Sequence, residues 1–203
     1  MIPPQNKKRK LLINKKNDRI RIKLEKNMAE ISYYTYKTLF GNVVIVSDGS
    51  CITYLKLLPL QKYNSLEAEK VCAADKAGFD YPLKAEFKPG KLTDLAAKQL
   101  GEYFTGARKS FDLPLAPRGT DFQKAVWKAL QDIPYGETRS YKQIAETIKS
   151  PKACRAVGMA NNKNPIWIII PCHRVIGADG SLTGYGGGLD MKEKLLKLEK
   201  SGI

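Results

Sequence analysis

Between Asn164 and Gly177 the chain reads Asn-Pro-Ile-Trp-Ile-Ile-Ile-Pro-Cys-His-Arg-Val-Ile-Gly. The apolar stretch from Ile166 to Ile170 reads as a buried core strand and is far too short to span a membrane. At its end the only histidine of the chain follows a cysteine, between a proline and an arginine. A cysteine is nucleophilic as its thiolate, which is favoured where histidine, arginine or a helix N-terminus places positive potential on an enclosed sulfur. Cys172 has two such neighbours in sequence, His173 and Arg174. In a regular strand, however, adjacent side chains point to opposite faces, so Cys172 and His173 would not touch. Either Pro171 forces a turn or a water links the two. The competing reading makes Cys172 a small buried hydrophobe, the common fate of a free cysteine.

A chain of 203 residues with 43% hydrophobic composition holds one large domain or two small ones. The net charge is +15; residues 1–27 carry ten Lys or Arg against two Asp or Glu, which leaves +7 on the remainder. Both parts are basic, which points to a polyanionic partner. Cys51, Cys72, Cys154 and Cys172 show no CxxC spacing, and one histidine is too few for a zinc-ligand set. No cofactor or metal is expected. The four thiols read as reduced, in a cytoplasmic protein with no membrane association. Residues 1–27 lack apolar periodicity and read as a disordered basic tail.

Val43 to Ser47, then Asp48-Gly49, then Cys51 to Leu55, predicts a β-hairpin about a type I′ turn. Ser65 to Ala77 and Thr93 to Phe104 have helical spacing, the second with Leu95, Leu100, Tyr103 and Phe104 as its apolar side. An N-terminal α/β domain over 28–117 is therefore expected. Leu113 to Gly119 has the Pro and Gly content of a linker. Residues 118–203 form a second, mainly α domain. Thr120 to Gln123 and Ser140 to Gln143 are capping boxes, and Ser150-Pro151 predicts a further helix with proline at its first position. Two short helices across a tight turn read as a helix-turn-helix, although a plain helical hairpin in a core is about as common. Lys152, Ala153, Cys154, Arg155 and Ala156 on the second helix combine small residues with positive charge. Thr183 to Gly188 is a glycine-rich loop suited to close packing against a flat ligand. In the last helix, from Asp190, Glu199 lies beside the apolar face of Met191, Leu195 and Leu198.

With these segments in this order, the chain resembles the O6-alkylguanine-DNA alkyltransferase family, the methylated-DNA–protein-cysteine methyltransferases, from about Thr120 to Glu199. The Pro171-Cys172-His173-Arg174 motif with Asn164-Pro165 carries the likeness. Ile31 to Gly119 is similar, more loosely, to that family's ribonuclease-H-like N-terminal domain, and the C-terminal part to its winged-helix-like domain. The resemblance implies stoichiometric DNA repair: Cys172 takes the alkyl group from O6 of guanine, or O4 of thymine, in double-stranded DNA and is consumed. It implies that His173 reaches Cys172 through a water and that Glu199 orients His173. It further implies that Tyr141 assists nucleotide flipping and bonds the purine, and that Arg155 replaces the flipped base. Lys152, Ala153 and Ala156 would lie in the minor groove. Asn164 would brace the Cys-His turn against the second helix, and Trp167, Tyr185, Gly186, Gly187 and Gly188 would line the guanine pocket. A monomer is expected.

Two positions depart from the family pattern. Trp167 stands where relatives often have a small residue or proline, which implies a narrow pocket that takes methyl and resists benzyl. Cys154 replaces the usual alanine and reads as a tolerated small residue. Two rival readings are a DNA-binding module without chemistry, which would lack the cysteine, and a cysteine hydrolase, which would have no use for the helix-turn-helix.

Overall fold

The computed structural model describes residues 31–58 and 86–201. The basic tail over 1–27, the helix expected over 65–77 and Cys72 lie outside the described residues.

Strands β1 (Ser32–Thr38), β2 (Gly41–Ser47) and β3 (Ile52–Leu58) form an antiparallel meander, and the short β4 (Glu86–Phe87) joins parallel to β1, giving the order β3-β2-β1-β4. β2 is apolar on both faces. Val43 and Ile45 enter the main core, while Val44 and Val46 pack with Tyr54 and Leu58 on the other side. The hairpin between β2 and β3 forms, but without the expected type I′ turn. That turn needs positive φ at both central residues, and in the Asp48–Cys51 loop only Gly49 has it, at φ 88°. Asp48 instead turns its carboxylate back onto the N–H groups of Ser50 and Cys51 at 3.0 and 2.8 Å, the habit of aspartate in loops.

Helix α1 (Lys91–Phe104) lies against the sheet with Ala96, Leu100, Tyr103 and Phe104 inward. Leu95, expected on that side, is 42% exposed. The inward arc runs 93, 96, 100, 103, and residue 95 falls 100° away from 96.

The outer edge of β3 is where the second domain attaches. Ile52 bridges Leu115 of the linker, and Leu55 bridges Ile166 of the apolar run. Leu55 N–H donates to Pro165 C=O at 2.8 Å, and Trp167 N–H donates to Leu55 C=O at 2.9 Å. These contacts occupy backbone groups that an open edge would leave unpaired. The run is therefore buried as expected, yet it is no regular strand. It breaks at Ile168, whose φ of 72° is a steric outlier for a β-branched residue, with Ile169 N–H bonded to Trp167 C=O at 2.8 Å.

The C-terminal half is mostly helical. α2 (Asp121–Gln131) starts in the predicted Thr120/Gln123 capping box and buries Val126, Trp127 and Leu130. Strand β5 (Arg139–Ser140) leads into α3 (Tyr141–Thr147) through the Ser140/Gln143 box. α4 (Cys154–Asn162) follows and completes a helix-turn-helix. It starts three residues later than Ser150-Pro151 implies. The end of α3 explains the delay: Ser150 N–H reaches Ala145 C=O and Lys149 N–H reaches Glu146 C=O, with Lys149 at φ 56°. That is a Schellman motif, and it consumes Ser150 before it can cap α4. Lys152 and Ala153 thus belong to the turn, with Ala153 as N-cap. A 3₁₀ turn (Cys172–Arg174), strand β6 (Val175–Ile176) parallel to β5, and α5 (Leu189–Ser201) complete the chain.

A lysine at a left-handed position is costlier than glycine there. Lys149→Gly is expected to stabilise the protein by about 0.5–1 kcal/mol, raising the melting temperature by about 2 °C in thermal unfolding.

Candidate active site

Pro171 decides the local geometry. Its φ and ψ of −81° and 63°, with Cys172 N–H bonded to Ile170 C=O at 2.8 Å, make an inverse γ-turn. The chain then enters the 3₁₀ turn, in which successive side chains point about 120° apart. Pro171 thus forces a turn, and within it His173 Nδ1 makes no hydrogen bond to Cys172. Two asparagines clamp it. Asn164 Nδ2 donates to Ile170 C=O at 2.8 Å while its Oδ1 accepts from Ile166 N–H at 3.0 Å. Asn161, on α4, donates to Cys172 C=O at 3.3 Å. Asn164 N–H also donates to Asn161 C=O at 3.3 Å, so the bracing of the turn against α4 that the resemblance implies for Asn164 is shared with Asn161.

His173 and Arg174 both bond Glu199. Glu199 Oε1 receives His173 Nε2 at 2.8 Å, Tyr103 Oη at 2.6 Å and Arg174 Nη2 at 2.9 Å. Its Oε2 receives Arg174 Nε at 2.9 Å and Gly136 N–H at 3.1 Å. All three side chains around it, His173, Arg174 and Tyr103, are buried. Burial would raise the Glu199 carboxyl, but His173 and Arg174 hold it down at about 2. It is therefore an anion and accepts only. Arginine keeps its proton, and the phenol of Tyr103 is pushed far up by burial and by Glu199. His173 must then donate from Nε2, which leaves Nδ1 as the basic nitrogen. Nδ1 is buried with no hydrogen-bond partner. Burial pushes the imidazole below its usual pKa against the pull of Glu199, so it is neutral at physiological pH.

Cys172 is 2% exposed. Burial pushes its thiol up to about 11, while the Asn164 amide and the ammonium groups of Lys192 and Lys56 pull the other way. The positive potential on the sulfur comes from these lysines rather than from the sequence neighbours, which Glu199 engages. Lys192 is wholly buried on α5, donates to Thr183 C=O at 2.8 Å and also to Val175 C=O, and is pushed down to about 8 by burial. A thiol with this pKa is protonated at rest and needs a base to become a nucleophile.

Near it two aromatic rings pack against the glycine-rich loop. Trp167 and Tyr185 rings sit 5.5 Å apart, and a Cβ at Gly186 or Gly187 would come within 2.9 Å of the indole. Only glycine fits there. Lys56 from β3 stands 5.2 Å over the same indole. Gly188, expected in the pocket, begins α5 instead: it has φ 88° and accepts from Lys192 N–H at 3.2 Å. Tyr141 bonds Thr183 C=O at 3.2 Å and lies beside Gly158 of α4. Arg155 and Lys152 are exposed, Ala153 and Ala156 half-buried. Cys154 is half-buried, with its sulfur 3.7 Å from Pro151 C=O. The structure thus gathers Cys172, His173, Glu199, Asn164, Trp167 and Tyr185 around the turn. Sequence reasoning missed Tyr103, Gly136, Asn161, Lys192 and Lys56. Tyr103, Asn161 and Lys192 had a local signal, as residues with polar groups on the inward arcs of amphipathic helices.

Residues 31–117 match the family described as 6-O-methylguanine DNA methyltransferase, ribonuclease-like domain, and residues 121–201 match its DNA binding domain. The methylated-DNA–protein-cysteine methyltransferase of Methanosarcina barkeri is 69% identical over 108 residues, 53% of this chain and 68% of that protein. The protein of the same name from Mycobacterium bovis is 47% identical over 173 residues, covering 84% of this chain and 93% of the relative. A crystal structure of Mycobacterium tuberculosis OGT in complex with DNA superposes with a TM-score of 0.71 at 45% identity, covering 85% of this chain and 94% of that one.

Glu199 titrates near 2 against an ordinary 4.5, so its contribution to stability is present above about pH 4.5 and disappears as pH falls toward 2. Wild type should lose stability across that window in acid-unfolding curves. Glu199→Gln should lose much less there, and should start about 3–5 kcal/mol lower at pH 7 because Arg174 remains buried without its partner.

Proposed function

The chain belongs to the 6-O-methylguanine DNA methyltransferase family, and on that premise we propose that it repairs alkylated DNA by moving the alkyl group from O6 of guanine onto Sγ of its own Cys172. One observation carries the assignment of roles: a buried thiol stands one residue from an imidazole whose Nε2–H is held by an ionised carboxylate and whose Nδ1 is unpartnered. Nδ1 takes the Cys172 proton through a water, as base in a nucleophile-base-orienter arrangement. The thiolate attacks the alkyl carbon in line; the S–C bond forms as the C–O6 bond breaks. The electron pair leaves on guanine, which recovers a proton, and S-alkylcysteine remains. Nothing regenerates the thiol, so each chain acts once. The nearby ammonium groups of Lys192 and Lys56 stabilise the developing thiolate.

The target base must leave the duplex, at a cost of about a few kcal/mol that is smaller for a weakened O6-alkylguanine pair. Arg155 fills the gap, a role its exposure at the start of α4 supports, and half-buried Ala156 allows close approach to a minor groove. Tyr141 exchanges its loop carbonyl partners for the purine. Trp167, packed against Gly186 and Gly187, narrows the alkyl side of the guanine pocket, which favours methyl over benzyl. O4-methylthymine in the same pocket, a monomer and a cytoplasmic location belong to this reading. Among the described residues no helix is long and apolar enough to cross a membrane. The four-strand order with β4 parallel to β1 supports the ribonuclease-H-like description of the first domain, and the helix-turn-helix supports the winged-helix-like description of the second.

Incubation with duplex DNA carrying labelled O6-methylguanine should place one label per chain on Cys172. Cys172→Ala should take none, and label on Cys154 or multiple turnover would contradict the reading. O6-benzylguanine should inactivate Trp167→Ala at least about tenfold faster than wild type, the order expected of a pocket-volume effect; equal rates would remove Trp167 as the determinant of alkyl size.

A further inference from the structure

Tyr103 has no part in the reaction described above, yet it makes the shortest hydrogen bond to Glu199, 2.6 Å from Oη to Oε1. It lies 70 residues from His173 in the chain, on α1 of the N-terminal domain, and is wholly buried. We propose that Tyr103 is a positioning residue of the transfer reaction: by holding Glu199 Oε1 it limits how strongly that oxygen draws a proton onto His173, and so keeps Nδ1 free as the base. The inference rests on the catalytic reading of Cys172 and His173.

The argument is competition for one oxygen. A carboxylate oxygen has about two well-placed acceptor directions. On Oε1 converge Tyr103 Oη at 2.6 Å, His173 Nε2 at 2.8 Å, and Arg174 Nη2 and Nε at 2.9 and 3.2 Å. The hydroxyl takes the closest approach. Buried beside an anion, the phenol stays protonated, so it donates and does not compete as a base. Its donation draws negative charge off the oxygen that would otherwise stabilise an imidazolium. Removing it should leave Glu199 a stronger partner for His173 and make the imidazole more basic. The other groups acting on this pair are Arg174 from the 3₁₀ turn and Lys192 from α5, both of which oppose protonation of His173. Tyr135, from the loop after α2, packs edge-on to Tyr103 with the ring centroids 6.0 Å apart. None of these changes in a Tyr103→Phe variant, which keeps the ring and its packing on Phe104 and Phe111.

The single histidine makes the test direct. Protein labelled with ¹⁵N-histidine shows one imidazole, whose titration is followed in wild type and in Tyr103→Phe; the single-turnover rate of methyl transfer to Cys172 is measured over the same pH range. The variant should titrate higher by about half a pH unit or more, and the acid limb of its rate profile should move up with it. A purely structural role would lower the rate or the melting temperature and leave both midpoints in place. Coincident midpoints, or a downward shift, overturn the proposal whatever the rate does. Should Tyr103→Phe not fold, the wild-type proton spectrum decides: a slowly exchanging Tyr103 hydroxyl with a cross-peak to the Nε2–H of His173 is required, and its absence overturns the proposal. Failure of wild type to label Cys172 would instead strike the catalytic reading, and the two histidine titrations would still judge the role of Tyr103.

Discussion

A carboxylate with 3% exposure is the point on which the rest of the molecule turns. An unpaired charge at such depth would cost several kcal/mol, more than most domains can spare. Glu199, on α5, is tolerable because donors from three separate segments meet it: Tyr103 from α1, Gly136 from the loop after α2, and His173 and Arg174 from the 3₁₀ turn. Each segment is constrained by the others. Gly136 illustrates how closely: it has φ 79°, and a Cβ there would stand 3.2 Å from the Glu199 backbone oxygen. Arg174 adds a further tie through Nη1 to Ile133 C=O at 2.6 Å, which fixes the end of the α2 region to the turn.

From that constraint follows a division between the two sides of the turn. The residues adjacent to Cys172 in sequence serve the carboxylate, and the cations that matter to the sulfur come from α5 and from β3 of the other domain. Burial, against the pull of those cations, keeps the thiol protonated until a base acts, and His173 offers a defined free nitrogen. The N-terminal sheet contributes more than bulk to this. Its β3 edge pairs with the chain at Ile166 and Leu115, Lys56 overlies Trp167, and Tyr103 reaches the charged cluster. The left-handed Ile168, between the paired edge and the reactive turn, is strain of the kind that persists where surrounding contacts over-determine a functional segment.

Much of this was legible in the sequence wherever the signal is local. Both capping boxes formed as written, and the 3.6-residue period placed Glu199 beside the buried face of the last helix. Pro171 supplied the turn because a fixed φ acts on its own neighbours. What stayed hidden depends on contacts distant in sequence. Nothing near Tyr103 says that its hydroxyl meets a residue 96 positions later. Nothing near Lys56 places it over an indole. Local reasoning also failed where two local rules compete: the Schellman ending of α3 took Ser150 from α4, and the Asp48 side chain preferred loop N–H donors to a type I′ turn.

The central claim is that Glu199 fixes His173 with its proton on Nε2, so that Nδ1 is the nitrogen left free to act as base. Neutron diffraction from deuterated crystals at neutral pH locates that proton directly. The account predicts deuterium on Nε2, directed at Glu199 Oε1, with Nδ1 bare and Glu199 unprotonated. Deuterium on Nδ1 with Nε2 bare, or on the Glu199 carboxylate, would contradict it.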